Sequence, residues 1–298
     1  MSGQDTATST GPSGARRSPR VVIQATKGLL HVDWRGLFEY RDLLMLLVRR
    51  DFLSRYKQSI LGPAWFIIQP LLTTIVFTVI FGRVANLSSD GMPKMLFYLC
   101  ALVPWNYFAA NLNTTSTTFT ANIGLFGKVY FPRLIVPLAV VVSNLIVFAI
   151  QLLTFLGFFI YFKFFSAAGP LIRPSLELAL MPLLLLQIAI FSLGVGLIIS
   201  ALTAKYRDLA YAMGFLVQLW MYATPIVYPL SIVTRPGWRM IAAINPMTSA
   251  VESFKHAFLG VGTTDVRHTV ISVALTLLVL LLGLMFFTRA ERTFVDTV

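Results

Sequence analysis

The sequence predicts an all-α integral membrane protein, and three observations carry that prediction. Only 12% of its 298 residues are charged, where a soluble domain carries about 25%, and mean hydropathy is +0.77. Six stretches are apolar over about the length a helix needs to cross a bilayer: residues 64–81, 95–110, 134–162, 178–204, 213–228 and 270–287. None of the six holds Asp, Glu, Lys or Arg in its interior.

Taken in order, residues 1–20 are mostly Ser, Thr, Gly, Pro and Arg. They are expected to form a disordered cytoplasmic tail, with no signal peptide because no apolar core precedes a cleavage site. Residues 21–60 form a membrane-edge unit, and residues 61–298 the six-span domain. Within 43–57, Tyr40, Leu43, Leu44, Leu47 and Val48 can share one helical face, and Glu39, Asp42, Arg49, Arg50 and Lys57 the opposite one. Asp51 and Arg55, four apart, can pair. This reads as a basic, moderately amphipathic interfacial helix, with Arg49, Arg50, Arg55 and Lys57 toward anionic headgroups. The net charge of +12 is explained the same way, with no nucleic-acid partner. Gly62-Pro63 then turns the chain into the first span.

Between spans five and six the texture changes. Residues 229–244 and 246–259 each resemble a short helix opened by a proline, Pro229 and Pro246, with Asn245 able to cap the second. Both are too short and too charged to span, and read as a pair of re-entrant helices on the outer side. With both termini inside, the inner segments hold twice as many Lys and Arg residues as the outer ones, the bias expected of a cytoplasmic face.

Several chemistries are missing. A phosphate-binding loop needs Gly five places before the glycine that precedes its lysine, and Ser or Thr after the lysine. Around Gly127-Lys128 those places hold Asn122 and Val129. There is no HExxH or GxSxG motif, and the single cysteine, Cys100, offers neither a disulfide nor a cysteine metal site within one chain. Charge-free spans disfavour an ion-driven pump. What remains is a passive conduit, neither an enzyme nor a cofactor protein, driven by a partner. The rival is a membrane scaffold that recruits cytoplasmic partners without conducting anything.

Two groups of residues are candidates for function. Asn111, Thr115, Thr118 and Asn122 fall on one stripe if helical, just after Trp105, Tyr107 and Phe108. Amides, hydroxyls and aromatic faces suit the lining of a path for a polyol chain. They equally suit the gluing of helices to one another, and the residues alone leave both open. In the inner loop, Lys128, Tyr130, Phe131, Pro132 and Arg133 combine cations, aromatics and a rigid proline, as protein interfaces do and as headgroup anchors do. Arg207 and Asp208 in the other inner loop invite the same pair of readings, or simply cap span five.

RDFLSRYKQSILGPAWFIIQPL, FGRVA, LVPWNYF, KVYFPRLIVPLA, YRDL, ATPIVYP, NPM and ERTFVD occur in that order from Arg50 onward. Together they resemble the permease subunits of type-2 ABC exporters, especially those for O-antigen, capsule and teichoic-acid chains. The resemblance implies a homodimer of six-span subunits in a bacterial cytoplasmic membrane, with two ATP-binding subunits docked inside and a lipid-linked polysaccharide as substrate. It also implies that the inner loop acts in coupling and that the outer helices, with Pro229, Asn245 and Pro246, act as a gate. Leu125-Phe126-Gly127 departs from the Leu-Ile-Thr usual in relatives.

Overall fold

The computed structural model describes residues 34–54, 59–126, 131–235, 237, 242 and 244–295. Among them all regular structure is helical. The expected tail at 1–20, residues 21–33, Arg55, Lys57, Lys128 and Tyr130 lie outside the described residues, as do 236, 238–241 and 243 of the helix expected over 229–244, whose described start is a 3₁₀ turn, Leu230–Ile232, followed by non-helical residues 233–235.

The chain enters through a short helix, Trp34–Glu39, and α1, Arg41–Ser54. Leu47 and Val48 on α1 are buried and pack toward α4 (Ile135–Phe165), but Phe38, Met45, Leu46 and Leu53 stay exposed. So α1 is less cleanly two-faced than the pattern suggests. The Asp51 carboxylate accepts from its neighbour Arg50 at 2.8 Å, while its expected pairing with Arg55 lies outside the described residues.

Among the described residues five helices are long and apolar enough to cross a bilayer: Gly62–Val84, Lys94–Thr115, Ile135–Phe165, Leu176–Lys205 and Val266–Arg292. The first opens at Gly62, whose φ of +48° suits a residue without Cβ, with Pro63 in its first turn. Its α-helical part is α2, Trp65–Phe77, and it ends in a π-helical stretch, Thr78–Val84. Hydroxyls of Thr73, Thr74 and Thr78 donate back to the carbonyls of Gln69, Pro70 and Thr74, the side-chain competition that loosens helices. The remaining helices are α3 (Lys94–Thr115), α4, α5 (Met181–Lys205), α6 (Leu209–Ala223), α7 (Pro246–Leu259) and α8 (Val266–Val295). The expected fifth span is only α6, with 15 residues, or about 22 Å. It stops at Ala223 because Thr224 turns extended ahead of Pro225.

α3 is the central post. Leu96 through Val103 are each at most 1% exposed, and α2, α4, α5, α6 and α7 all pack on it. α5 and α8 cross at Gly194 and Gly283. A Cβ on Gly194 would lie 2.8 Å from the Leu280 Cα, and one on Gly283 would strike the Gly194 carbonyl. Small residues let helix backbones approach where apolar burial gives no drive.

The connections sort to two ends. At one, Ser231 Oγ donates to Asp90 Oδ1 at 2.8 Å, and the Arg173 and Ser175 amides donate to the Leu259 and Ala257 carbonyls. At the other, Thr203 Oγ1 donates to the Ser116 carbonyl at 2.6 Å and Arg133 reaches the end of α8. Successive long helices therefore alternate in direction, and α6 leads from the second end back to the first.

Gly283→Leu is expected to lower stability by at least the upper part of the about 1–3 kcal/mol typical of overpacking, because backbone rather than a rotamer would have to move. Thermal unfolding in detergent measures this, with Gly157→Ala, whose site has open space, as the unaffected control.

Candidate functional site

The polar run after α3 is not one helix. α3 stops at Thr115, and two four-residue helices follow, Thr118–Ala121 and Ile123–Phe126. Hydroxyls of Ser116, Thr117, Thr118 and Thr120 each donate to the carbonyl three residues back, which gives the backbone an alternative to continued helix. Asn111, Thr115 and Thr118 are at most 1% exposed. Asn144 Nδ2 donates to Asn111 Oδ1 at 2.8 Å, and Asn111 Nδ2 donates to Ser192 Oγ at 3.1 Å, so one amide ties α3 to α4 and α5. Thr115 presses on Gly196 of α5. Asn122 Nδ2 bonds back to the Thr118 carbonyl. Trp105, Tyr107 and Phe108 are buried too, Phe108 stacking on Phe191 at 5.5 Å and Tyr107 donating to the Val141 carbonyl. The burial of Trp105, Tyr107, Phe108, Asn111, Thr115 and Thr118 favours the alternative reading, in which they glue helices to one another. Asn111 finds its partners on neighbouring helices and Thr118 bonds back to the Thr115 carbonyl, whereas the Thr115 hydroxyl has no hydrogen-bond partner among the described residues.

The inner loop also turns inward. Phe131 is 5% exposed and rests on Phe126, which in turn meets Phe119, itself stacked on Phe287 of α8 at 4.7 Å. Arg133 lies over the Phe126 ring at 5.2 Å and donates to the Glu291 carbonyl at 3.2 Å. Its guanidinium is also 4.0 Å from the Glu291 carboxylate. Burial pushes the Arg133 pKa down, and Glu291 opposes that. Phe131 and Arg133 therefore face the protein's own helices. They fix the loop onto the end of α8, and Pro132 between them is only partly exposed. Lys205, Tyr206, Arg207 and Asp208 are exposed. Asp208 occupies the cap position of α6, but its side chain makes no capping bond there.

The end where α6 meets α7 is built around Asn245. As expected it caps α7, its Oδ1 accepting from the Met247 amide at 3.1 Å, with Pro246 in the first turn. The same oxygen accepts from Trp220 Nε1 at 3.2 Å and Nδ2 donates to Thr224 Oγ1 at 3.0 Å. One residue thus joins α7 to the end of α6. Pro229 precedes a single 3₁₀ turn, Leu230–Ile232. Farther along α7 stands an ion pair that sequence reasoning missed. Lys255 Nζ is 3.1 Å from Glu252 Oε1, with side-chain exposures of 1% and 2%. The ammonium also donates to the Pro225 carbonyl at 2.5 Å and lies over the Phe97 ring at 4.2 Å. Glu252 Oε2 accepts from the Thr263 amide at 3.0 Å. Burial lowers the Lys255 pKa while Glu252 works against that. The available signal was opposite charges three apart in a segment dominated by apolar residues. Nearby, His256 Nδ1 lies 2.9 Å from Glu177 Oε2, linking α7 to the turn before α5.

A family model described as ABC-2 type transporter matches residues 42–259. An O-antigen export system permease protein of Myxococcus xanthus is 29% identical over 267 residues, covering 89% of this chain and 98% of that protein. A Klebsiella pneumoniae protein of the same description is 28% identical, covering 86% of this chain and 94% of its own length. The polysialic acid transport protein of Escherichia coli is 24% identical, covering 83% and 92%.

Lys255→Met strands a buried carboxylate and is expected to cost about 3–5 kcal/mol, the usual penalty for breaking such a pair from one side. Adding Glu252→Gln should recover part of the loss. A double-mutant cycle of unfolding free energies checks both, and equal stability of the single variant and the parent would contradict the assignment.

Proposed function

The chain belongs to the ABC-2 type transporter family, and from that premise we propose that it is the membrane subunit of an exporter of lipid-linked polysaccharide, of O-antigen, capsule or teichoic-acid kind. The observation that carries the reading is the extent of the likeness to polysaccharide-export permeases, which runs through nearly their whole lengths. Five long apolar helices support it.

In this reading the protein works in a bacterial cytoplasmic membrane as a homodimer. α6 completes a sixth crossing, and both termini lie on the cytoplasmic side, as the excess of Lys and Arg in the inner segments supports. ATP and Mg²⁺ belong to two copies of a separate subunit at that face, and the permease needs no cofactor of its own. The exposed loop from Lys205 to Asp208 and residues 127–130 are the docking elements. The aromatic cluster around Phe131, with Arg133 on Glu291, carries movement of that loop into α8. At the outer end Pro229, Asn245 and Pro246 shape the exit.

The path itself is assigned to the outward faces of α2 and α6, joined where Phe81 of the π-helical stretch that continues α2 meets Tyr222 of α6. Gln69, Tyr211, Gln218 and Tyr222 are exposed there. Amides and phenols are unwelcome against hydrocarbon, but suit a polyol passing between two copies. A conduit needs weak, repeated contacts, which uncharged groups give.

Two outcomes test this. Alone in nanodiscs the chain should hydrolyse no ATP above background, and should do so once the ATP-binding subunit is added. Gln218→Lys should assemble with that subunit yet block export, so that lipid-linked polymer accumulates inside. Thr115→Lys should instead fail to fold, because Thr115 is 0% exposed. Normal export by Gln218→Lys would remove α6 from the path.

A further inference from the structure

At their outer ends α5 and α8 enclose a cleft of about 540 Å³. Its walls are apolar, with Leu183, Leu186, Val270, Val273 and Leu277 all facing it and all exposed. Its rim is polar and includes Ser253, Thr264 and Thr269. The same three residues border a second, far smaller cavity of about 10 Å³, room for about one water-sized group. Thr248, Glu252 and Asp265 line that nook. Thr248 is 2% exposed, and its Oγ1 has no hydrogen-bond partner among the described residues. A buried hydroxyl in that state is costly unless something reaches it. Glu252 already accepts from Lys255 and Thr263, but a carboxylate has further acceptor sites.

A tiny acceptor-lined nook that opens at its rim onto a long apolar groove has the form of an amphipath's mould. We propose that it holds one membrane lipid with a primary ammonium headgroup, of the phosphatidylethanolamine kind. The ammonium sits in the nook against Thr248, Glu252 and Asp265, the phosphate takes the rim hydroxyls, and an acyl chain lies between α5 and α8. Charge selects this occupant. The groups around the nook are carboxylates, and the nearby cations are engaged: Lys255 with Glu252, His256 with Glu177, and His268 with Asp265 at 3.7 Å. A dianionic polyprenyl diphosphate would find each of these basic groups already held by a carboxylate. A choline headgroup is too bulky for the nook and has no N–H to donate. The assignment goes beyond the export reading and does not rest on it.

The test is native mass spectrometry of the full chain released from nanodiscs holding equal phosphatidylethanolamine, phosphatidylcholine and phosphatidylglycerol. One phosphatidylethanolamine per protomer should be retained, favoured about tenfold over the other two, as a charge-assisted hydrogen bond allows. Val273→Trp, which fills the groove, and Thr248→Val, which removes the acceptor, should each abolish that preference. Equal retention of all three lipids by the unaltered protein overturns the proposal, whatever the folding of either variant. Displacement by added polyprenyl phosphate overturns it as well. So does dissociation of a dimer by Val273→Trp, which would make this face a contact with a second copy.

Discussion

One constraint governs this molecule: inside hydrocarbon no water is available, so each polar group in a span must find its partner in the protein. The consequences run opposite to a soluble fold. α3 is the least apolar of the five long helices and the most buried, with 78% of its span window enclosed. The segment Val266–Arg292 is the most apolar and only 22% enclosed. Apolar helices can face lipid without cost, so they stand outside. The helix with amides and hydroxyls must stand in the middle, where Asn144 and Ser192 meet Asn111, and Gln151 accepts from Asn106 at 3.2 Å.

That arrangement explains how the two ends are held. Helices in lipid gain little from apolar contact with one another, so close approach and a few polar bonds fix their places. Gly194 against Gly283 and Gly196 against Thr115 supply the approach. At the inner end, four phenylalanines and the Arg133–Glu291 contact bind the loop before α4 to the last turns of α8. At the outer end, Asn245 binds α6 to α7, while the Glu252–Lys255 pair locks α7 over α3. A buried pair of this kind adds little net stability against apolar replacements, but strongly penalises arrangements that separate its members. It holds α7 in one position rather than simply holding it down. Both ends are therefore defined by polar contacts, and the middle by packing.

Much of this was legible beforehand. The places of the helices follow from uninterrupted apolar runs, since only a helix satisfies its own backbone in a membrane. The break at Gly62-Pro63 and the cap at Asn245 follow from local backbone chemistry, which a sequence states directly. The break after Thr115 did not emerge, because a run of Ser and Thr suits a helix stripe and back-bonded turns alike. The end of α6 was placed five residues late because Thr224 to Tyr228 is as apolar as the helix before it, and composition is blind to where the backbone turns extended ahead of Pro225.

The sequence by itself determined that this is a helical membrane protein, where its long helices run and which kind of exporter subunit it resembles. Those properties depend on hydropathy, spacing and short motifs, all of them local. Only the tertiary structure decided which way each side chain faces. It made Asn111 a tie from α3 to α4 and α5, packed Thr115 against Gly196, and drew Phe131 and Arg133 into a cluster on the end of α8. It also brought Glu252 and Lys255 under cover with the carbonyl of Pro225 and the ring of Phe97. A stripe on a helix names the residues that share a side, but what that side meets is set by neighbours distant in the chain.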